Sequence, residues 1–152
     1  MKILSWDQYF IALAKISGMR SKDPNTKVGA VLVNDANRVI GLGYNGMPKG
    51  NDDDFTWKRD GDKLNNKYAY VVHAEMNAIL NAIKYVENSR LYVSLFPCSN
   101  CAKFVVQAGV KEIVYEDDKY AETDDDKIAK QIFNKSNVKL RKITPMTIEI
   151  KF

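Results

Sequence analysis

Two short segments carry side chains whose types and spacing can do chemistry. They are Val72-His73-Ala74-Glu75 and Pro97-Cys98-Ser99-Asn100-Cys101. The chain has two cysteines and one histidine in all. In a chain read as intracellular, C-x-x-C points to metal binding or to thiol redox chemistry. A disulfide between these two cysteines would close a tiny loop and stabilise little. A closed Cys/His zinc site takes four such ligands. A metal held by His73, Cys98 and Cys101 therefore keeps a position open for water, another ligand or a carboxylate. Each segment is expected at a helix start, where partial positive charge stabilises thiolates and a metal can join the two helices. Taken singly, the cysteines also fit a thioredoxin-like redox pair. His73 alone fits a core or surface histidine, and Glu75 alone a helix-start carboxylate.

The elements that must position these groups are legible from periodicity. Ser5-Trp6-Asp7-Gln8 fits a capping box and opens a helix from about Trp6 to Gly18. Its apolar face, Trp6, Tyr9, Phe10, Leu13 and Ile16, is expected to pack on the core. Lys27 to Asn34 and Arg38 to Asn45 read as two strands joined at Asp35-Ala36-Asn37. Gly46 to Asn66 is polar and reads as a long loop, a length usually functional or disordered. Met76, Ile79, Leu80 and Ile83 mark a helix starting near His73. Arg90 to Leu95 and Lys111 to Glu116 read as strands. Between them, Cys101, Phe104, Val105 and Ala108 mark a helix stopped by Gly109. Thr123-Asp124-Asp125-Asp126 opens a further helix, with acids where the helix dipole favours them. Val138 to Ile143 and Met146 to Ile150 are weaker strands. The order predicts an α/β fold, with an antiparallel first strand pair, parallel later strands and helices on both faces.

Together the two segments match the H-x-E…P-C-x-x-C signature of zinc-dependent nucleobase deaminases. Further segments resemble the deoxycytidylate (dCMP) deaminases: Arg20-Ser21-Lys22-Asp23-Pro24-Asn25-Thr26-Lys27-Val28-Gly29-Ala30, Gly43-Tyr44-Asn45-Gly46-Met47-Pro48, and Lys67 to Ile79. So do Phe96-Pro97-Cys98, Cys101-Ala102-Lys103, Gln107-Ala108-Gly109-Val110 and Asp118-Lys119-Tyr120. The resemblance runs from Trp6 to Tyr120, while the last thirty residues match poorly.

This resemblance implies a single domain over residues 1–152, a cytidine deaminase-like three-layer α/β/α sandwich with a mixed central sheet. It implies one catalytic Zn2+ per subunit on His73, Cys98 and Cys101, because no spare Cys or His remains for a second. It implies that Glu75 moves protons while activated water attacks C4 of cytosine, converting dCMP to dUMP and ammonia for thymidylate synthesis. It places Asn45 on the sugar and the backbone at Ala74 on the pyrimidine edge. Ser21 and Lys22, and also Lys119 and Tyr120, are candidates for the phosphate. Family members are commonly hexamers activated by dCTP and inhibited by dTTP, with Mg2+ on the effector triphosphate. The effector segment resembles Gly46 to Asp54, giving Gly46, Met47, Gly50, Asp53 and Asp54 as allosteric candidates.

Composition narrows the alternatives. The 152 residues are 45% hydrophobic, 28% charged and 11% aromatic, which excludes a disordered or collagen-like chain. The longest apolar run, Val28 to Val33, is far below the roughly 18 residues of a membrane span. The start has no apolar signal-peptide core, so a cytoplasmic protein is expected. The formal net charge of +4 is spread along the chain, which permits an anionic ligand and does not favour nucleic acid. A polynucleotide deaminase would need a basic channel with stacking aromatics. Trp57, Lys58 and Arg59 offer a little of that, but Asp52 to Asp54 lie beside them. A non-catalytic zinc module would need a carboxylate as fourth ligand.

Overall fold

The computed structural model describes residues 2–152. Strands β1 (Gly29–Val33) and β2 (Val39–Tyr44) form the expected hairpin. Asn37 takes the left-handed conformation at its turn, with φ +57°. Strand β3 (Arg90–Leu95) pairs antiparallel with β1, and β4 (Glu112–Asp117) and β5 (Lys139–Lys142) follow in parallel. The sheet order is β2-β1-β3-β4-β5.

Alternation along β1 builds the three layers. Val31 and Val33 face helix α1 (Trp6–Gly18), packing with Phe10, Ile11, Ala14, Tyr92 and Val114. Ala30 and Leu32 face the opposite layer. There α2 (Ala74–Leu80), α3 (Ser99–Gln107) and α4 (Asp124–Lys135) cover the sheet. Successive strand residues point to opposite faces, so a strand buried on both sides reads as a continuous apolar run. All five β1 residues are buried. Among the described residues, no helix is long and apolar enough to cross a membrane.

The capping box at α1 is complete, with Ser5 accepting from the Gln8 amide and the Gln8 side chain accepting from the Ser5 amide. The α1 face, however, is rotated from the one expected. Phe10, Ile11 and Ala14 are buried, whereas Trp6, Tyr9 and Ile16 are exposed. Trp6 and Tyr9 instead stack around Phe10 at the helix edge.

Helix α2 is shorter than its apolar spacing implied, ending at Leu80 with Ile83 outside it and exposed. Its buried face is Ala74, Glu75 and Ala78. Strand β2 accounts for that small buried face. A Cβ at Gly43 would collide with the backbone of Ala74 and Ala78, and one at Gly41 with Ala78. These glycines let α2 sit directly on the sheet, so small residues face inward. The expected strand over Met146 to Ile150 does not form. Side chains hold that segment instead: the Met146 amide donates to Glu116, and its carbonyl accepts from Lys15.

Candidate active site

The two chemical segments meet where α2 and α3 begin. Cys98 follows the C-terminal end of β3, where ligands bind in open α/β sheets. His73 and Cys98 are the N-caps of α2 and α3. The Cys98 sulfur accepts from the Cys101 amide at 3.4 Å, which curls the loop so that both sulfurs face the same way. His73 Nδ1 lies 3.4 Å from Cys98 Sγ and 3.3 Å from Cys101 Sγ. One donor atom from each residue falls within 4.8 Å of the others.

This donor set fits zinc. Tetrahedral zinc with Zn–N near 2.1 Å and Zn–S near 2.3 Å sets N···S separations of roughly 3.6 Å. A redox pair has no need of an imidazole beside both sulfurs. The hydrogen bond from Cys101, together with that from His73, holds the Cys98 thiol well below its ordinary pKa. Cys101 is correspondingly pushed up, by its bond to Cys98 and by burial. The His73 imidazole is raised by its hydrogen bond to Cys98, against the effect of burial.

Glu75 is buried in the first turn of α2 and borders the same cavity of about 450 Å³. Burial raises its pKa, because a charged carboxylate loses hydration there. A carboxyl group facing the same cavity as the three donors can take and return protons during a reaction there.

The remaining sequence candidates divide. Asn45, Ala74 and Tyr120 line the cavity. The Asn45 side chain is already engaged: Oδ1 accepts from Val28 N at 2.9 Å, and Nδ2 donates to Thr26 O at 3.0 Å. Ser21 is buried outside the lining, donating to Asn45 O at 2.8 Å and accepting from Asp23 N. Lys22 is exposed and pairs with Asp52 at 2.9 Å. Lys119 donates to Thr26 Oγ1 at 3.1 Å and lies over the Tyr120 ring.

The allosteric candidates do not line the cavity. Gly46 bridges to Val72, beside His73, by hydrogen bonds of 3.0 and 2.8 Å. Met47 is buried, Gly50 has φ +82°, and Asp53 and Asp54 are exposed.

Among the lining residues that the sequence reading did not assign to the site are Asp23, Arg59, Lys67 and Tyr68. Asp23 and Lys67 form an ion pair of 2.5 Å between positions 44 apart, with side chains only 1% and 8% exposed. Both fell within the resembling segments, but nothing in local spacing joins them. Arg59 was weighed only as a nucleic-acid contact.

Comparison with known proteins agrees with this geometry. The family model for the cytidine and deoxycytidylate deaminase zinc-binding region matches residues 4–117. Human deoxycytidylate deaminase is 47% identical over 150 residues, covering 97% of this chain and 84% of that protein. A probable deoxycytidylate deaminase of Drosophila melanogaster is 42% identical over 98% of this chain and 78% of its own. Similarity thus extends into the last thirty residues, beyond the segment where the sequence motifs had ended. Among solved structures, the apo dCMP deaminase of cyanophage S-TIM5 superposes with a TM-score of 0.68 at 26% identity. That match covers 90% of this chain and 96% of the phage chain. With fold, donor set and sequence in agreement, the chain belongs to the cytidine and deoxycytidylate deaminase family.

Proposed function

We propose that this protein hydrolyses dCMP to dUMP and ammonia as a single zinc-dependent domain in the cytoplasm, supplying thymidylate synthesis. The observation that carries the reaction type is the buried Glu75 carboxyl in the same cavity as the three convergent donors His73, Cys98 and Cys101. The substrate follows the relatives, whose name is deoxycytidylate deaminase.

His73, Cys98 and Cys101 hold one zinc ion, which when bound supplies the Lewis acidity that activates water near neutral pH. Glu75 accepts a proton from the attacking water and delivers it to the pyrimidine ring nitrogen. It then takes the second proton from the hydroxyl added at C4 and passes it to the amino group, so the C4 carbonyl forms and ammonia leaves. The Ala74 backbone meets the pyrimidine edge. Asn45 positions the sugar from a side chain fixed by Val28 and Thr26. Tyr120 borders the proposed phosphate end with Lys119 beside it, whereas Ser21 and Lys22, the other phosphate candidates, lie outside the cavity lining.

Regulation by dCTP as activator and dTTP as inhibitor, with Mg2+ on the triphosphate, belongs to the same reading. A homo-hexamer is its expected assembly. Gly46, Met47, Gly50, Asp53 and Asp54 form the proposed effector segment. The Gly46–Val72 bridge supports this, because it couples that loop to the residue before His73.

The test is turnover of zinc-loaded protein on dCMP, followed as dUMP and ammonia, with and without dCTP and Mg2+. Turnover that rises with dCTP supports both parts. Turnover indifferent to dCTP removes the effector segment, and no turnover in either condition overturns the dCMP reading.

A further inference from the structure

Of the basic side chains lining the cavity, one has no ion-pair partner among the described residues. Asp23, Glu75, Asp118, Asp125 and Asp126 all border it, which by count alone would repel an anionic ligand. Three of them are ion-paired. Asp23 pairs with Lys67, Asp118 with Lys142, and Asp126 with Lys130. Asp125 accepts from the backbone and hydroxyl of Ser99 at the start of α3.

The lining cations are Arg59 and Lys67, and Lys67 is spent on Asp23. Arg59 makes no ion pair among the described residues. Its Nε donates to Tyr68 Oη at 3.4 Å, a contact that steadies the guanidinium and leaves both terminal amino groups open. It sits on the lining with Tyr68 and Tyr120, in the same cavity as His73 and Glu75. A planar guanidinium matches phosphate oxygens in a two-pronged arrangement that an ammonium cannot copy.

We infer that Arg59 binds the 5′-phosphate of the substrate and thereby selects the nucleotide over the nucleoside. This rests on the dCMP reading above. Arg59 acts as a specificity residue, and its contribution appears in binding of the phosphorylated ligand.

The experiment compares the zinc-loaded protein with Arg59→Ala and Arg59→Lys. Steady-state kinetics are measured on dCMP and on deoxycytidine, and calorimetry on the products dUMP and deoxyuridine. Zinc content is checked in each. Loss of one charge-assisted phosphate contact should lower the dCMP-to-deoxycytidine ratio of kcat/KM by about 10- to 100-fold in Arg59→Ala. The loss should fall mainly on KM, with a matching loss of dUMP affinity, and Arg59→Lys should recover part of it. A parent protein that prefers dCMP, with the ratio and dUMP affinity unchanged in Arg59→Ala, overturns this inference and leaves the dCMP reading standing. A parent protein that turns over neither substrate, or both equally, overturns the dCMP reading and the role of Arg59 with it.

Discussion

Replacing either member of the Lys67–Asp23 pair tests whether the cavity wall depends on a buried charge. The two groups are 2.5 Å apart, with side chains 8% and 1% exposed. Removing one partner of a buried pair costs about 3–5 kcal/mol, because the other charge is stranded. An exposed pair is worth only about 0–1 kcal/mol. The pair borders an open cavity, so the low end applies, about 3 kcal/mol. Asp23→Asn is the cleaner substitution. Asp23 Oδ1 also accepts from the amides of Asn25 at 2.8 Å and Thr26 at 3.3 Å, and asparagine retains an oxygen for them. For a chain of this length, about 3 kcal/mol lowers Tm by roughly 6–12 °C.

The assay is urea unfolding of zinc-loaded protein in a cycle of Asp23→Asn, Lys67→Met and the double variant. The double variant should cost less than the sum of the singles by about 2 kcal/mol or more. Single substitutions costing under about 1 kcal/mol, or strict additivity, would refute the reasoning. A pH series adds a signature. Burial opposes ionisation of Asp23, but the Lys67 contact and the two amides outweigh it, so its pKa is lowered. A carboxylate with a lowered folded-state pKa contributes stability above its unfolded pKa of about 3.9 and loses it as pH falls through the folded value. The parent protein should show that acid-side loss, and Asp23→Asn should lack the corresponding part.

Two further outcomes follow from the site. Glu75→Gln should retain one zinc per chain, read by metal analysis, and lose about 10²- to 10⁴-fold in kcat; lost zinc would make Glu75 a ligand instead. Gly43→Ala forces a methyl group into the backbone of Ala74 and Ala78, so it should destabilise the fold by at least about 1–3 kcal/mol in urea unfolding and reduce zinc retention by moving His73.

Particular residues show where sequence reasoning reaches and where it stops. Ser5 and Gln8 announced α1 because a capping box is a local device of four residues. Strand β3 was legible because its apolar run is bounded by turn residues. His73, Cys98, Cys101 and Glu75 were legible because few side chains bind metal or carry protons, and their spacing placed them at helix starts. The buried face of α1 was not legible. Trp6 and Tyr9 are apolar at helical spacing, yet which arc meets the sheet depends on how α1 lies across Val31, Val33 and Tyr92. The small inward face of α2, Ala74 and Ala78, was likewise decided by its contact with Gly41 and Gly43.

Sequence by itself determined the element order, the zinc-binding chemistry and the family. Those depend on residue type and on neighbours within a few positions. Only the tertiary structure decided that Asp23 meets Lys67, that Lys142 pairs with Asp118, and that Arg59 stands on the cavity wall with no ion pair among the described residues. Those pairings join residues far apart along the chain. They form only after the sheet has closed and its helices have docked, so no local pattern encodes them.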